Sequence, residues 1–120
     1  MKTCSCVGVR MLTADQTSEL AEMFRLLGEP NRLGIVSSCL DGPLSVGEIT
    51  GRLALSQSLV SHHLRLLRAA RLLKAGKRGK QVFYSIPDCH VREMLTNMIE
   101  HLTEPHEHDD DILIEQGESK

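Results

Sequence analysis

Residues 45–86 read SVGEITGRLALSQSLVSHHLRLLRAARLLKAGKRGKQVFYSI, and the way this stretch punctuates itself decides the fold. Ser45, with Glu48 three residues on, is a capping box, so a short helix opens there and carries Ile49 and Leu53. Ser56 is a good N-cap for the next helix, whose Val60, Leu64 and Leu67 make one apolar stripe. Residues 72–75 and 81–86 read as two short strands, with Gly76-Lys77-Arg78-Gly79-Lys80 between them as a turn bearing basic side chains. Two short helices joined by a tight turn and followed by a β-hairpin are the order of a winged helix-turn-helix. In that order the first helix of the pair supports and the second enters the major groove.

Upstream, Thr13 and Gln16 form a second capping box, and Leu20, Met23, Phe24 and Leu27 follow at helical spacing up to Gly28. Pro30 suits the first turn of a helix carrying Leu33, Val36 and Leu40 to the Asp41-Gly42-Pro43 break. Downstream, Asp88 is the N-cap of a final helix over residues 89–104, and Pro105 disfavours its continuation. The expected fold class is therefore mostly α (α+β): a winged helix-turn-helix with a two-stranded β-hairpin wing and a C-terminal dimerisation helix. Residues 1–12 are expected to be a flexible arm, 13–104 the DNA-binding and dimerisation domain, and 105–120 an acidic, disordered tail. A chain of 120 residues is one domain with a limited core, so burying a helix against a partner adds stability. Phe24, Phe83 and Tyr84 are its aromatics, and it has no Trp, so that core is aliphatic.

A net charge of −2 by itself argues against nucleic acid, but the distribution reverses the argument. Between Ile49 and Pro87 there are eight Lys or Arg residues and no Asp or Glu, whereas from Asp88 onward there are ten acids and two bases. A basic middle and an acidic end fit a protein that meets a polyanion with one face and a cation with another. No stretch is long and apolar enough to span a membrane, and the N-terminus lacks a signal-peptide core. The expected location is the cytoplasm, with the four cysteines mostly reduced.

On the helix opened by Ser56, residues 58, 61, 62 and 65 share a face opposite Val60, Leu64 and Leu67. The polar Gln57, Ser58, Ser61 and His62 let that helix approach base edges closely, and Gln can make two hydrogen bonds to adenine. Arg65, Arg68, Lys77, Arg78 and Lys80 suit phosphate, which supplies affinity and salt dependence rather than sequence choice. The plainer reading is a solvated polar face on an ordinary helix.

Asp88-x-His90 and His101-x-x-Glu104 lie at the two ends of the final helix. Residues 90 and 101 are nearly three turns apart and share a face, yet they are separated by roughly 16 Å along the axis. A tetrahedral metal site needs its ligands about 2 Å from the ion, so one chain cannot close it. An antiparallel, two-fold related copy of the helix brings Asp88 and His90 against His101 and Glu104 of the other chain. Pairing 88 with 104 and 90 with 101 puts both midpoints near residue 96, so the spacing predicts a dimer with two identical sites. Two imidazoles and two carboxylates best match tetrahedral Zn²⁺; Co²⁺ can adopt the same geometry, and ligand type alone does not rank Cd²⁺ against them. Four protein ligands leave no open position for an activated water, and no general base or substrate pocket is evident. That argues for sensing and against a small zinc hydrolase or any enzyme with a small-molecule substrate. Each ligand also has a plainer role: Asp88 as an N-cap, His90 as a partly exposed helix residue, His101 as a cation near a helix C-terminus, Glu104 as surface charge. Val91, Leu95, Met98 and Leu102 step by four, three and four, the seam of an antiparallel helix pair, and Met94 and Ile99 widen that face towards the chain's own domain.

Leu27-Gly28-Glu29-Pro30-Asn31-Arg32-Leu33 resembles the second-helix signature of the ArsR/SmtB family of metal-responsive repressors, and Ser56-Gln57-Ser58-Leu59-Val60-Ser61-His62-His63-Leu64 resembles its recognition helix. The likeness runs over about residues 15–104. The Asp-x-His and His-x-x-Glu pairs, ten residues apart, are similar to the C-terminal-helix zinc site of the SmtB-like branch, position by position. The resemblance implies a homodimeric repressor on an imperfect palindromic operator, released when metal binds, with Gln57, Ser58, Ser61 and His62 near the bases. It also implies that His101 passes a hydrogen bond to the backbone carbonyl of Arg71, at the end of the recognition helix. Some members carry a second site built from cysteines in the third helix and an N-terminal arm. Here Ser45-Val46-Gly47-Glu48 has no cysteine, which leaves Cys4 and Cys6 as a remnant or as ligands of a soft metal. His106, His108 and Asp109 to Asp111 are either weak ligands or a solvated tail. The alternative function on the same scaffold is a thiol- or persulfide-responsive repressor using Cys39 and Cys89, although Cys89 sits at the start of the last helix rather than its end.

Overall fold

The computed structural model describes residues 11–105. The arm with Cys4 and Cys6, and the tail with His106, His108 and Asp109 to Asp111, lie outside the described residues. Helix α1 (Ala14–Leu27) begins at a complete capping box between Thr13 and Gln16 and ends at Gly28. Helix α2 (Pro30–Ser38) has Pro30 in its first turn, where a missing N–H costs nothing. It tightens into a 3-10 turn, Cys39–Asp41, before Gly42. Strand β1 (Leu44–Ser45) leads directly into α3 (Val46–Leu53), whose capping box joins Ser45 and Glu48. Helix α4 (Gln57–Ala69) is capped by Ser56, and α5 (Cys89–Thr103) by Asp88, whose Oδ1 accepts from the Val91 N–H at 3.1 Å.

Between α4 and α5 lies the hairpin of β2 (Lys74–Arg78) and β3 (Gln81–Ser85). The turn is tighter than the sequence suggests: Arg78 pairs with Gln81, and only Gly79 and Lys80 lie between them. Gly79 has φ 62, suited to the first central position of a II′ hairpin turn. The wing also gains a third strand. β1 pairs antiparallel with β3, Leu44 opposite Tyr84 and Ser45 opposite Phe83, giving the order β1-β3-β2. Leu72 and Leu73, read from sequence as the start of the first strand, are buried core residues that precede it.

The core gathers Ile35, Val36 and Cys39 of the α2 segment, Ile49 of α3, Val60, Leu64 and Leu67 of α4, then Leu72, Leu73, Ile86 and Leu95. It is aliphatic, as composition required. The stripe on α2 is turned from the expected Leu33, Val36 and Leu40: Ile35, Val36 and Cys39 point inward and Leu33 is exposed. On α1, Leu26 and Leu27 are buried while Leu20 and Phe24 face outward. Among the described residues, no helix is long and apolar enough to cross a membrane.

Candidate functional site

Helix α4 presents its polar face as the spacing requires. Gln57, Ser58, His62 and Arg65 are exposed and Ser61 is half-buried, while Val60, Leu64 and Leu67 anchor the opposite side. Both flanks of α4 carry a left-handed residue that is not glycine: Ala54 (φ 54) ends α3, and Arg71 (φ 62) follows α4. At the second, the Arg71 N–H reaches the Arg68 carbonyl at 3.0 Å and the Leu72 N–H reaches the Leu67 carbonyl at 2.9 Å. These two bonds are the Schellman pattern, with arginine where glycine is usual.

His63 shows how α4 is held against the preceding helices. It is buried, and the Arg32 guanidinium approaches its Nδ1 at 3.4 Å. Arg32 also donates from Nε to the Leu26 carbonyl, and its own N–H is capped by Glu29. One guanidinium thus touches the end of α1 and the middle of α4 from the start of α2, a physical use for Glu29 and Arg32. Among the described residues His63 Nε2 has no hydrogen-bond partner, and it lies 4.0 Å from Glu29 Oε1. Burial lowers the His63 pKa, opposed by Glu29 and reinforced by Arg32 and His62. The neighbouring His62 is exposed, its ring 5.7 Å from that of His63.

On the wing, Lys77, Arg78 and Lys80 are exposed. Gly76 lies opposite Phe83, and the Arg78 guanidinium sits 5.1 Å from the centre of the Phe83 ring, a cation–π contact that orders the arginine near the hairpin tip. Lys74 shares the period-two face of Gly76 and Arg78. Sequence pattern does not single it out, because it places the strand two residues too early.

The four metal candidates divide as their spacing dictates. Asp88 and His90 stand together at the start of α5, with Asp88 Oδ2 3.7 Å from His90 Nδ1 and both side chains exposed. Asp88 caps the helix with one carboxylate oxygen and keeps the other free of that bond. His101 lies in the last turn and Glu104 just beyond it in extended chain, both exposed. Among the described residues, no group of three or more His, Cys, Asp or Glu comes together within the protomer.

Asp88 and His90 line a cleft of about 560 Å³ together with Arg68, Arg71 and Lys74. That cleft sets the start of α5 beside the end of α4 and the root of the wing. Among the described residues, no hydrogen bond joins His101 to Arg71 within the protomer. The Arg71 side chain instead reaches Glu19 of α1 at 3.3 Å. Cys39 is fully buried, and burial pushes its thiol up to about 11, whereas Cys89 is exposed. The thiolate is the reactive form, so the setting of Cys39 opposes a sulfur switch.

The α5 seam is split. Leu95 is 5% exposed and packs in the core with Val91 and Met94 beside it, but Met98 is 58% and Leu102 73% exposed. Leu20, Met23, Phe24 and Leu27 of α1 line an apolar cleft with Val91 and Met94 of α5.

Residues 29–75 match a family model described as a bacterial regulatory protein of the arsR family. A transcriptional repressor described as an SmtB homolog, from Synechocystis sp., is 36% identical over 94 residues, 78% of this chain and 71% of that protein. The HTH-type transcriptional regulator NmtR of Mycobacterium tuberculosis is 33% identical over 90 residues, 75% of each chain. Among solved structures, the homodimeric winged helix-turn-helix DNA-binding domain Mb0332 of Mycobacterium bovis shares the fold, with a TM-score of 0.69 at 24% identity over 80% of this chain and 93% of that one.

Proposed function

The chain belongs to the arsR family of bacterial regulatory proteins, and from that membership we propose that it is a homodimeric repressor whose hold on operator DNA is released by zinc bound between the two α5 helices. The observation that carries this reading is the shared cleft: the Asp88–His90 pair stands beside Arg68 and Arg71, at the end of the recognition helix. Ligands arriving there from a second protomer meet the DNA-reading element directly.

Gln57, Ser58, Ser61 and His62 read base edges, and Arg65, Lys77, Arg78 and Lys80 hold phosphates. Asp88 and His90 of one protomer, with His101 and Glu104 of the other, would hold the metal. The set is two nitrogens and two oxygens, all on exposed side chains, and so fits a borderline divalent cation. Held by these four side chains, a zinc ion would favour the dimer pose in which they converge. The exposed Met98, Leu102, Leu20 and Phe24 supply the apolar surface for that dimer. In it, His101 of the second protomer would come near Arg71 of the first, so the relay from His101 to the Arg71 carbonyl would run between subunits. A ligand shifts an equilibrium only through its different affinity for the two states, and this contact provides such a difference.

The test is release of the dimer from an imperfect palindromic operator while Zn²⁺, Co²⁺ and Cd²⁺ are each titrated in. Zinc should weaken operator binding about 5- to 150-fold, and His101→Ala should abolish the effect while leaving metal-free DNA binding intact. Normal release by zinc in His101→Ala would overturn the site assignment, and a protein monomeric at micromolar concentration would overturn the cross-chain site.

A further inference from the structure

At least two ties hold helix α5 to its own protomer. One is apolar, through Leu95 with Val91 and Met94. The other is polar: Arg92 donates from Nη1 to the backbone oxygen of Leu40 at 2.5 Å, in a part-buried position and across 52 residues of chain. Leu40 is the middle residue of the 3-10 turn that ends α2. A guanidinium on a carbonyl at a helix C-terminal end is a charge-assisted bond that the helix dipole favours.

The segment after Leu40 gives this bond reach. Gly42 has φ 149 and ψ 175, a conformation essentially confined to glycine, and Pro43 fixes its own φ, so a short link with a defined path leads to β1. Leu44 is buried. Ser45 both pairs with Phe83 in the wing sheet and caps α3, the supporting helix of the helix-turn-helix. The Leu40 carbonyl is thus a short link away from both the wing sheet and α3. Arg92, two residues past His90, grips it from the metal-bearing helix.

We propose that Arg92 is a positioning residue that carries the pose of α5, through the Leu40 carbonyl and the link over residues 41–45, to α3 and the wing. The inference rests on the metal-responsive reading and adds a route separate from the relay through Arg71. A tie that served stability alone would lower the melting temperature and leave the response to metal untouched.

The experiment uses the full-length dimer and its variants Arg92→Gln and Arg92→Lys. Zinc affinity is measured by competition with a chromophoric chelator, and operator affinity by fluorescence anisotropy with and without zinc. Arg92→Gln should keep its zinc affinity and metal-free operator affinity, while the ratio of operator affinities without and with zinc falls about tenfold. Arg92→Lys, which keeps a cationic donor but not the planar fork, should recover part of that ratio. In the wild type, zinc should change amide exchange across residues 39–45, and Arg92→Gln should lose that change. An unaltered ratio in Arg92→Gln overturns the proposal. So does a wild type whose exchange at 39–45 ignores zinc, a readout that stands even if a variant fails to fold. A wild type whose operator binding ignores zinc overturns the metal reading itself, and this proposal with it.

Discussion

Helices α4 and α5 are both amphipathic and both begin at an oxygen-bearing N-cap, yet they sit in the protomer differently. The apolar stripe of α4 is satisfied by its own chain: Val60, Leu64 and Leu67 are all buried. That of α5 is satisfied over half its length, with Leu95 inside and Met98 and Leu102 outside. The backbone repeats the contrast. Both helices start from an extended N-cap, but α4 is preceded by left-handed Ala54 and closed by left-handed Arg71 in tight turns, whereas α5 leaves into extended chain at Glu104. The helix proposed to meet DNA is over-determined by its own protomer. The helix that carries the metal candidates is left half-solved, with a surface that suits a second copy.

The most direct challenge to this contrast is to truncate one apolar residue from each helix. Leu67→Ala should cost about 2–5 kcal/mol in urea unfolding, independently of protein concentration, because a cavity opens in a closed core. Leu102→Ala should leave that core intact and act on dimer dissociation, measured by sedimentation across concentrations. Equal, concentration-independent losses from the two would erase the distinction.

At the start of α5, Asp88 has two separable duties. Asp88→Ala should cost about 1 kcal/mol through the lost cap, and Asp88→Ser should restore most of that. Zinc affinity should fall in both, since serine caps without supplying a carboxylate; recovery of both properties in Asp88→Ser would reduce Asp88 to a cap.

A smaller effect should appear on acidification. Because burial lowers the His63 pKa below its ordinary value of 6.5, the unfolded chain takes up a proton there before the folded one does. The His63 contribution to stability is therefore present above pH 6.5 and lost as pH falls below it towards the lowered folded value. Urea midpoints of His63→Leu should vary less with pH in this window than those of the wild type, and an identical slope would show that His63 is not the group responsible. The smallest change is Ala54→Gly, expected to stabilise by about 1 kcal/mol or less by relieving an exposed left-handed alanine. A loss of stability there would show that the turn before α4 gains nothing from glycine.

Much of this is legible in the chain. The capping boxes at Thr13 and Ser45, the caps at Ser56 and Asp88, and the stripe on α4 are local features whose geometry is set within four residues. The burial of His63 is also within reach, since the phase set by Val60 and Leu67 puts residue 63 inside and 62 outside. Strand β1 is not, because two residues carry no alternation and pair only once β3 lies beside them. The stripe on α2 is misread because a nine-residue helix with Leu33, Ile35, Val36, Cys39 and Leu40 in and just beyond it supports two overlapping faces, and only packing selects one. The α5 seam has the right period in sequence but not its division between core and surface.

Local pattern alone is enough for the winged helix-turn-helix, the polar and basic face of α4 and the spacing of the candidate ligands that a single helix cannot close, because each comes from periodicity, capping or a fixed rise per residue. Tertiary packing was needed to set Asp88 and His90 beside Arg71, to bring Arg92 onto the Leu40 carbonyl and to seal Cys39 in the core. These are meetings between residues about 20 to 50 positions apart, which no local pattern encodes and which exist only once the core has closed.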